Sequence, residues 1–216
     1  MKKCYCKRLP GVNPQKNLEF ESSLLRFRRS GFLFLLWQNG RSVILGRNQK
    51  AEEEVDLLYA ESRGIPVVHR QTGGGAVYHD LGNVNYSFIT DYDPSSPCSM
   101  GDFAKPVVRA LQGLGADAYL SGRNDILVDG KKVCGTAERI DGRRILSHGC
   151  ILVSTDLHEM ARVLTPPEEK LVRHGIASVR SRVANLTDWI TGITPESLMD
   201  ALEDSMRQDY DLLPLE

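Results

Sequence analysis

"HRQTGGGAVYHDLGNVNYSFI", residues 69–89, places three consecutive glycines between the strand-like Val67-Val68-His69-Arg70 and a second strand-like run. Glycine weakens a strand, because it offers no side chain to pack and loses the most freedom on folding, so three in succession need a reason. A flexible turn is the simplest reason. Turn loops, however, are rich in Ser, Asn and Pro, whereas this segment is followed by Ala76-Val77-Tyr78 and preceded by the cation Arg70. Bare backbone N–H groups beside a guanidinium form a nest for anionic oxygens, since nothing keeps the peptide away from its ligand. The pattern GxxxxGK[ST] of a phosphate-binding P-loop is absent, and no helical periodicity follows the glycines as in a dinucleotide fold. Downstream, Asn83, Asn85 and Ser87 alternate with Val84, Tyr86 and Phe88, giving a strand with one hydrogen-bonding face and one core face. A polar face on a buried strand lines a site.

The segment Asn124–Gly135 reads as a hairpin about Asp129-Gly130. A two-residue turn opposes 128 to 131, 127 to 132, 126 to 133 and 125 to 134, and opposed residues share a face. Ile126, Val128, Val133 and the stem of Lys131 then form a core side, while Asp125, Leu127, Lys132 and Cys134 form the other. Lys131 is expected at the solvated tip. Lys132 is expected beside Asp125, either as a cross-strand surface pair or as a site lysine next to a carboxylate that contacts metal or nucleotide.

Outward from these stretches, residues 17–27 place Leu18, Glu21, Leu24 and Leu25 on one helical stripe. Residues 32–38 and 42–45 read as strands joined by an αL-tolerant Asn39-Gly40 turn. Helices are expected over 52–63 with Gly64 as C-cap, 103–114 ended by Gly115, 158–163, and 195–210. Strands cover 67–70, 84–89 and 151–153, residues 94–97 form a loop, and a second Asp-Gly hairpin turns at 141–142. Strands outnumber a regular βαβ repeat, so the chain is expected to be α+β: a mixed, largely antiparallel sheet flanked by helices in a single domain, 1–216.

The 216 residues suffice for one well-buried domain, and 41% hydrophobic with 25% charged residues is ordinary for a globular protein. A net charge of −1 without a basic block argues against a nucleic-acid surface. The longest apolar run, Gly31–Trp37, is too short to span a bilayer, and no apolar stretch follows the charged N-terminus as a secretory signal requires. Five cysteines without a CxxC pair fit a reduced, cytoplasmic compartment. His79 and His148 match no metal-ligand spacing, and Trp37 and Trp189 read as packing residues.

Several motifs together carry a resemblance: Arg70-x-Thr-Gly-Gly-Gly-Ala-Val-Tyr-His-Asp-Leu-Gly-Asn83, Gly122–Ile126, Lys132-Val-Cys-Gly-Thr-Ala137 with Arg139, His148-Gly149, and Gly175–Leu186. In this order, over nearly the whole chain, they resemble lipoate–protein ligases of the biotin/lipoate ligase superfamily. The resemblance implies an α+β catalytic fold related to class II aminoacyl-tRNA synthetases. It implies a two-step reaction as well. Lipoate and ATP, the latter bringing Mg2+, form lipoyl-adenylate, and the acyl group then passes to a lysine. The acceptors it implies are lipoyl domains of 2-oxoacid dehydrogenases or a glycine-cleavage H-type protein. By the same carry-over Arg70, Gly75, Ala76, Val77, Tyr78, Lys132 and Arg139 contact ATP or the adenylate, with Arg139 on a loop that folds over it. Gly73, Gly74, Gly75, His79, Lys132 and His148 contact lipoate, Lys132 is the catalytic cation, and Asp125 and Asn83 are candidate contacts to Mg-ATP. No dedicated protein metal site is implied.

The sequence departs from that family in two respects. About thirty residues follow the last motif, where full-length bacterial ligases carry an accessory domain, so a separate accessory chain or a transfer-only role is expected. Cys150 also follows His148-Gly149 where ligases carry Thr or Ser. Octanoyl- and lipoyl-transferases of the superfamily hold the acyl group on a cysteine, which makes Cys150 or Cys134 an alternative nucleophile. Continuing the second hairpin by 140–143 and 139–144 opposes Cys150 to Val133 and buries it in the core unless a bulge intervenes. A third alternative is a non-catalytic lipoate- or lipoyl-domain-binding module, which would have no need to keep Arg70, Lys132 and Arg139 together.

Overall fold

The computed structural model describes residues 2–26, 31–95, 98–122, 124–164 and 183–216. The Gly175–Leu186 motif up to position 182, together with Phe27, Ser96, Pro97 and Arg123, lies outside them. The described strands are β1 (Lys2–Arg8), β2 (Phe32–Trp37), β3 (Ser42–Leu45), β4 (Val67–His69), β5 (Val77–His79), β6 (Asn83–Asp91), β7 (Ala118–Ser121), β8 (Asp125–Val128), β9 (Lys131–Asp141), β10 (Arg144–Leu152) and β11 (Tyr210–Pro214). The helices are α1 (Pro14–Leu24), α2 (Ala51–Glu54), α3 (Leu57–Ser62), α4 (Met100–Gly113), α5 (Leu157–Val163) and α6 (Pro195–Arg207).

An eight-stranded sheet, ordered β11-β1-β2-β6-β10-β9-β8-β7, is antiparallel except where β1 runs parallel to both β11 and β2. A second sheet, β4-β3-β5, stands apart from it. The architecture is the mixed, largely antiparallel α+β arrangement expected from the sequence. Strand β2 explains the layering. Leu33 through Trp37 are all buried, so both faces of the strand are covered and no polar alternation survives. Phe34 and Leu36 join Tyr86, Phe88, Ile126 and Val133 beneath α4 and α6, where Phe103, Val107, Leu111, Leu198 and Leu202 close the core. Leu33, Leu35 and Trp37 face the other way, against Leu18 and Leu24 of α1 and Ile44 of β3. The small sheet's far side packs Val43, Leu45 and Tyr78 on Val55, Ala60 and Val163.

Local chemistry corrects several expected boundaries. Helix α1 starts at Pro14 because Asn13 caps it, its side chain accepting from Lys16 N. The helix expected over 52–63 is two helices. Val55 is extended and buried in the small sheet's core, and Asp56 starts α3 as N-cap by accepting from Tyr59 N. The 39–40 turn uses no positive φ and joins strands of different sheets. Helix α6 ends at Arg207, so that Tyr210 opens an edge strand beside β1.

The hairpins decide the site. Asp129 and Gly130 have φ of 48° and 75°, the conformation of a type I′ turn, and oppose Val128 to Lys131 and Leu127 to Lys132 as expected. A β-bulge then intervenes between Ile126 and Leu127, so that Ile126 faces Cys134 and Asp125 faces Gly135. In the second hairpin Asp141 opposes Arg144, and Cys150 therefore faces Gly135, not Val133. The two cysteines exchange their expected places. Cys134 lies in the core under α4, and Cys150 stands on the Lys132 side of the sheet.

Candidate active site

A cavity between the two sheets is lined by Gly74, Gly75, Ala76 and Val77 of the glycine segment, by Lys132, and by Arg70, His79, Asn85, His148 and Cys150. Leu18, Trp37 and Ile44 give it an apolar end. Its floor is one cross-strand row: Asp125 opposes Gly135, Gly135 opposes Cys150, Cys150 opposes Asn85, and Asn85 opposes Trp37. Lys132 lies at one end of this row. Its Nζ is 2.8 Å from Asp125 Oδ1, too far off axis for a regular hydrogen bond, and a Cβ on Gly135 would come within 3.0 Å of the same ammonium. Gly135 thus makes room for the lysine over the floor. Both members of the pair are about one third exposed, so the ion pair contributes at most about 1 kcal/mol and its use is to hold the ammonium in place.

The glycine segment is held from beneath. Arg70 is 7% exposed, with Nε donating to Thr72 Oγ1, Nη1 to the carbonyl of Ile44, and Nη2 to the carbonyls of Gly73 and Gly75. Four of its five donors are committed to the protein, which offsets the burial that lowers its pKa. The fifth N–H has no acceptor among the described residues. Gly74 has φ +95° and its carbonyl oxygen fills the space that a Cβ on Gly46 would need, so Gly46 admits the loop against β3. Gly73 and Gly75 have open space at their Cβ positions. The three glycines therefore serve two needs: a close backbone approach at Gly74 and bare peptide on either side of it.

A buried chain ties this loop to α1. Thr72 Oγ1 accepts from Arg70 and lies 2.9 Å from His148 Nε2, while His148 Nδ1 lies 2.8 Å from Glu21 Oε1. Ser87 donates to the same Glu21 oxygen, and Trp37 Nε1 donates to Ser87 Oγ. Glu21 is 1% exposed, and the signal for it was in the sequence, a carboxylate on the apolar stripe of α1. Thr72, Asn17 and Asn39 carried no such signal. Glu159 was equally hidden. Its buried carboxylate meets Arg41, Arg63 and Tyr78, partners distant in sequence, and joins α5 to the small sheet.

Other expected residues lie elsewhere. Tyr78 points to the small sheet's core, donates to Glu159 and does not line the cavity. Gly73 contributes its carbonyl to Arg70, behind the cavity wall. Asn83 is fully buried, donating to Thr155 Oγ1 and accepting from Asp80 N, and does not line the cavity. Asp125 stands behind Lys132. Arg139 is on strand β9 and not on a loop. It borders a neighbouring groove, where it donates to Gln71 and pairs with Asp141 at 3.0 Å. Val183 and Ala184 run beside Lys132, Ala184 N donating to its carbonyl. Among the described residues no three His, Cys, Asp or Glu side chains gather as a metal site.

Burial tunes the thiols and His79. It pushes the Cys134 thiol up to about 12 and holds Cys150 well above the usual thiol range, with Cys134 adding to the effect. Neither is an activated nucleophile. His79 is pulled down to about 3, first by burial and then by the electrostatic influence of Arg70 and His148. The unfolded chain therefore binds a proton at this residue, between about pH 6.5 and 3, that the folded chain refuses. Stability contributed by neutral His79 is present above the upper bound and is lost as pH falls through this window. Urea unfolding across pH 7 to 4 should show a shallower pH slope for His79→Gln than for the wild type. Identical slopes would contradict the burial of a neutral imidazole.

The sequence matches the family model "Lipoyl protein ligase A/B catalytic domain" over residues 13–207. It is 42% identical over 179 residues to lipoate-protein ligase LplJ of Bacillus subtilis, covering 82% of this chain and 54% of that protein. It is 43% identical over 182 residues to lipoate–protein ligase 1 of Staphylococcus aureus, covering 83% and 55%. The chain thus spans about half the length of these relatives. Among solved structures, a bi-partite lipoate protein ligase from Thermoplasma acidophilum superposes with a TM-score of 0.84 at 32% identity, covering 100% of this chain and 87% of that one. A lipoate-protein ligase A bound with ATP gives 0.82 at 30% identity, covering 100% and 89%. No helix among the described residues is long and apolar enough to cross a membrane. With a cavity that joins a bare glycine segment, a fixed lysine and an apolar end, this chain belongs to the lipoyl protein ligase A/B catalytic-domain family.

Proposed function

We propose that the chain is one catalytic domain that moves a lipoyl group, through lipoyl-adenylate, to a lysine of a lipoyl domain or a glycine-cleavage H-type protein. One observation carries the reading: Lys132 and Gly74–Val77 line the same cavity, so one acyl-adenylate can touch both. The carboxyl end lies at Lys132, whose ammonium stabilises charge on the acyl oxygens as the amine attacks. The free N–H of Arg70 and the backbone of Gly75 face the phosphate. The acyl chain runs along the floor row toward Trp37. ATP would bring its own Mg2+, with Asp125 engaged by Lys132. A cysteine thioester route is the second reading, favoured only by the place of Cys150 in the cavity wall and opposed by its raised pKa. Five free cysteines support a reducing, cytoplasmic setting.

The bi-partite Thermoplasma acidophilum ligase supports a separate accessory chain for adenylation. Lipoate-dependent ATP–pyrophosphate exchange is the direct measurement. The isolated chain is expected to exchange slowly, to speed up when an accessory chain is added, and to transfer from supplied lipoyl-adenylate without it. Full exchange by the isolated chain would remove the accessory requirement. Absence of exchange and of transfer under every condition would contradict the function itself.

A further inference from the structure

Two buried donors in the cavity have no acceptor among the described residues: His79 Nε2 and Asn85 Nδ2. Both side chains line the cavity and are 3% and 2% exposed. A buried polar group without a partner is costly and uncommon in a native structure, and two in one wall mark a place where a ligand supplies the acceptors.

The proton on His79 is placed by its neighbours. Asn17 Nδ2 donates to the carbonyls of Gly11 and Gln38, which fixes which end of that amide is nitrogen. Those two bonds take both hydrogens of Asn17 Nδ2, which also lies 3.0 Å from Asn39 Oδ1 in a shared, bifurcated contact; a nitrogen of Asn39 there would face a nitrogen, so Asn39 turns its Nδ2 to His79 Nδ1, 3.1 Å away. A donor facing Nδ1 makes it an acceptor and leaves the proton on Nε2. The cavity therefore meets a neutral N–H from His79.

The position of these donors follows from the floor row. Strands lie about 4.8 Å apart, so Asn85 is about 10 Å from Gly135, over which Lys132 sits, and Trp37 is one strand further. His79 stands at that far end, its ring centroid 6.2 Å from that of Trp37. An eight-carbon acid with seven C–C bonds of about 1.5 Å in zigzag reaches about 9 Å. With its carboxyl at Lys132, its last carbons lie beside Asn85 and His79. In lipoate these carbons carry the two sulfurs of the dithiolane, which are weak acceptors. In octanoate they carry only hydrogen.

Resting on the reading of the site as a lipoyl site, we propose that His79 Nε2–H and Asn85 Nδ2–H form a donor pair for the dithiolane and select lipoate over octanoate. Filling the end with a methyl group would leave both donors unpaired, and that penalty falls on octanoate alone. Leu18, Trp37 and Ile44 supply apolar contact to both acids and do not discriminate.

Calorimetric titration with lipoate and with octanoate tests this on the intact chain. The wild type is expected to bind lipoate more tightly by on the order of tenfold. Asn85→Val should shrink the preference to on the order of twofold or less by improving octanoate more than lipoate. Asn39→Asp, which touches neither acid, should lower the preference by reversing the His79 tautomer. Nitrogen NMR of wild-type His79 should show the proton on Nε2, independently of any variant's folding. Equal affinity for the two acids, or a proton on Nδ1, overturns the inference while leaving the lipoyl site intact. Binding of neither acid overturns the site reading and the inference together.

Discussion

Lys132→Ala is expected to lower the single-turnover rate of transfer from lipoyl-adenylate by about 10²–10³-fold, the effect of removing one preorganised partner of a developing oxyanion. The geometry concentrates that effect in one of two adjacent lysines. Lys132 is half-buried over Gly135 and held by Asp125 at 2.8 Å, whereas Lys131 is exposed at the hairpin tip. Lys131→Ala should change the rate less than about threefold, as expected for a solvated charge far from the reaction. Thermal melts should match between the two variants, because the Lys132–Asp125 pair contributes little to stability. Equal loss in both variants would contradict the hairpin geometry. An active Lys132→Ala would contradict the mechanism.

Gly46→Ala is the second large effect. The added methyl would collide with the carbonyl oxygen of Gly74 and lie 3.1 Å from its carbonyl carbon, backbone against backbone, where no side chain can turn aside. Gly46 has no left-handed φ, so the clash alone is responsible. Either the end of β3 or the glycine segment must retreat, and Arg70, bonded to Gly73, Gly75 and Ile44, opposes both movements. We expect a loss of about 1–3 kcal/mol in urea unfolding, typical of overpacking in a fixed environment. Transfer should fall at least about tenfold, since a displacement near 1 Å costs far more in rate than in binding. A variant with unchanged melt and rate would mean that the segment is not held against β3.

How far the sequence was legible depended on the range of the chemistry. The two faces of β6 were readable because Val84, Tyr86 and Phe88 alternate with Asn83, Asn85 and Ser87, and both sets are buried as that pattern requires. The Lys131/Lys132 distinction was readable because Asp129-Gly130 fixes the register of the next two pairs. One step further the reading failed. The bulge between Ile126 and Leu127 has no marker in the linear pattern, and it reversed the places of Cys134 and Cys150. The break at Val55-Asp56 was locally written, since Asp is a favoured N-cap, but helical periodicity across 52–63 concealed it. Arg139 shows a motif supplying a residue without its setting: present as expected, but on a strand and anchored to Gln71. The relays Arg70–Thr72–His148–Glu21 and Asn17–Asn39–His79 join three or more elements each, and nothing in a linear pattern couples them.

The central claim is that the acyl group travels as an adenylate held by Lys132 and the glycine segment, with no covalent stop on the protein. Intact-mass spectrometry of chain and acceptor lipoyl domain, quenched during a single turnover from supplied lipoyl-adenylate, tests it directly. The account predicts one lipoyl group on one acceptor lysine, AMP released in equal amount, and an enzyme of unchanged mass at every time point. A transient lipoyl adduct on Cys150, or an acceptor that stays unmodified while the adenylate is consumed, would contradict it.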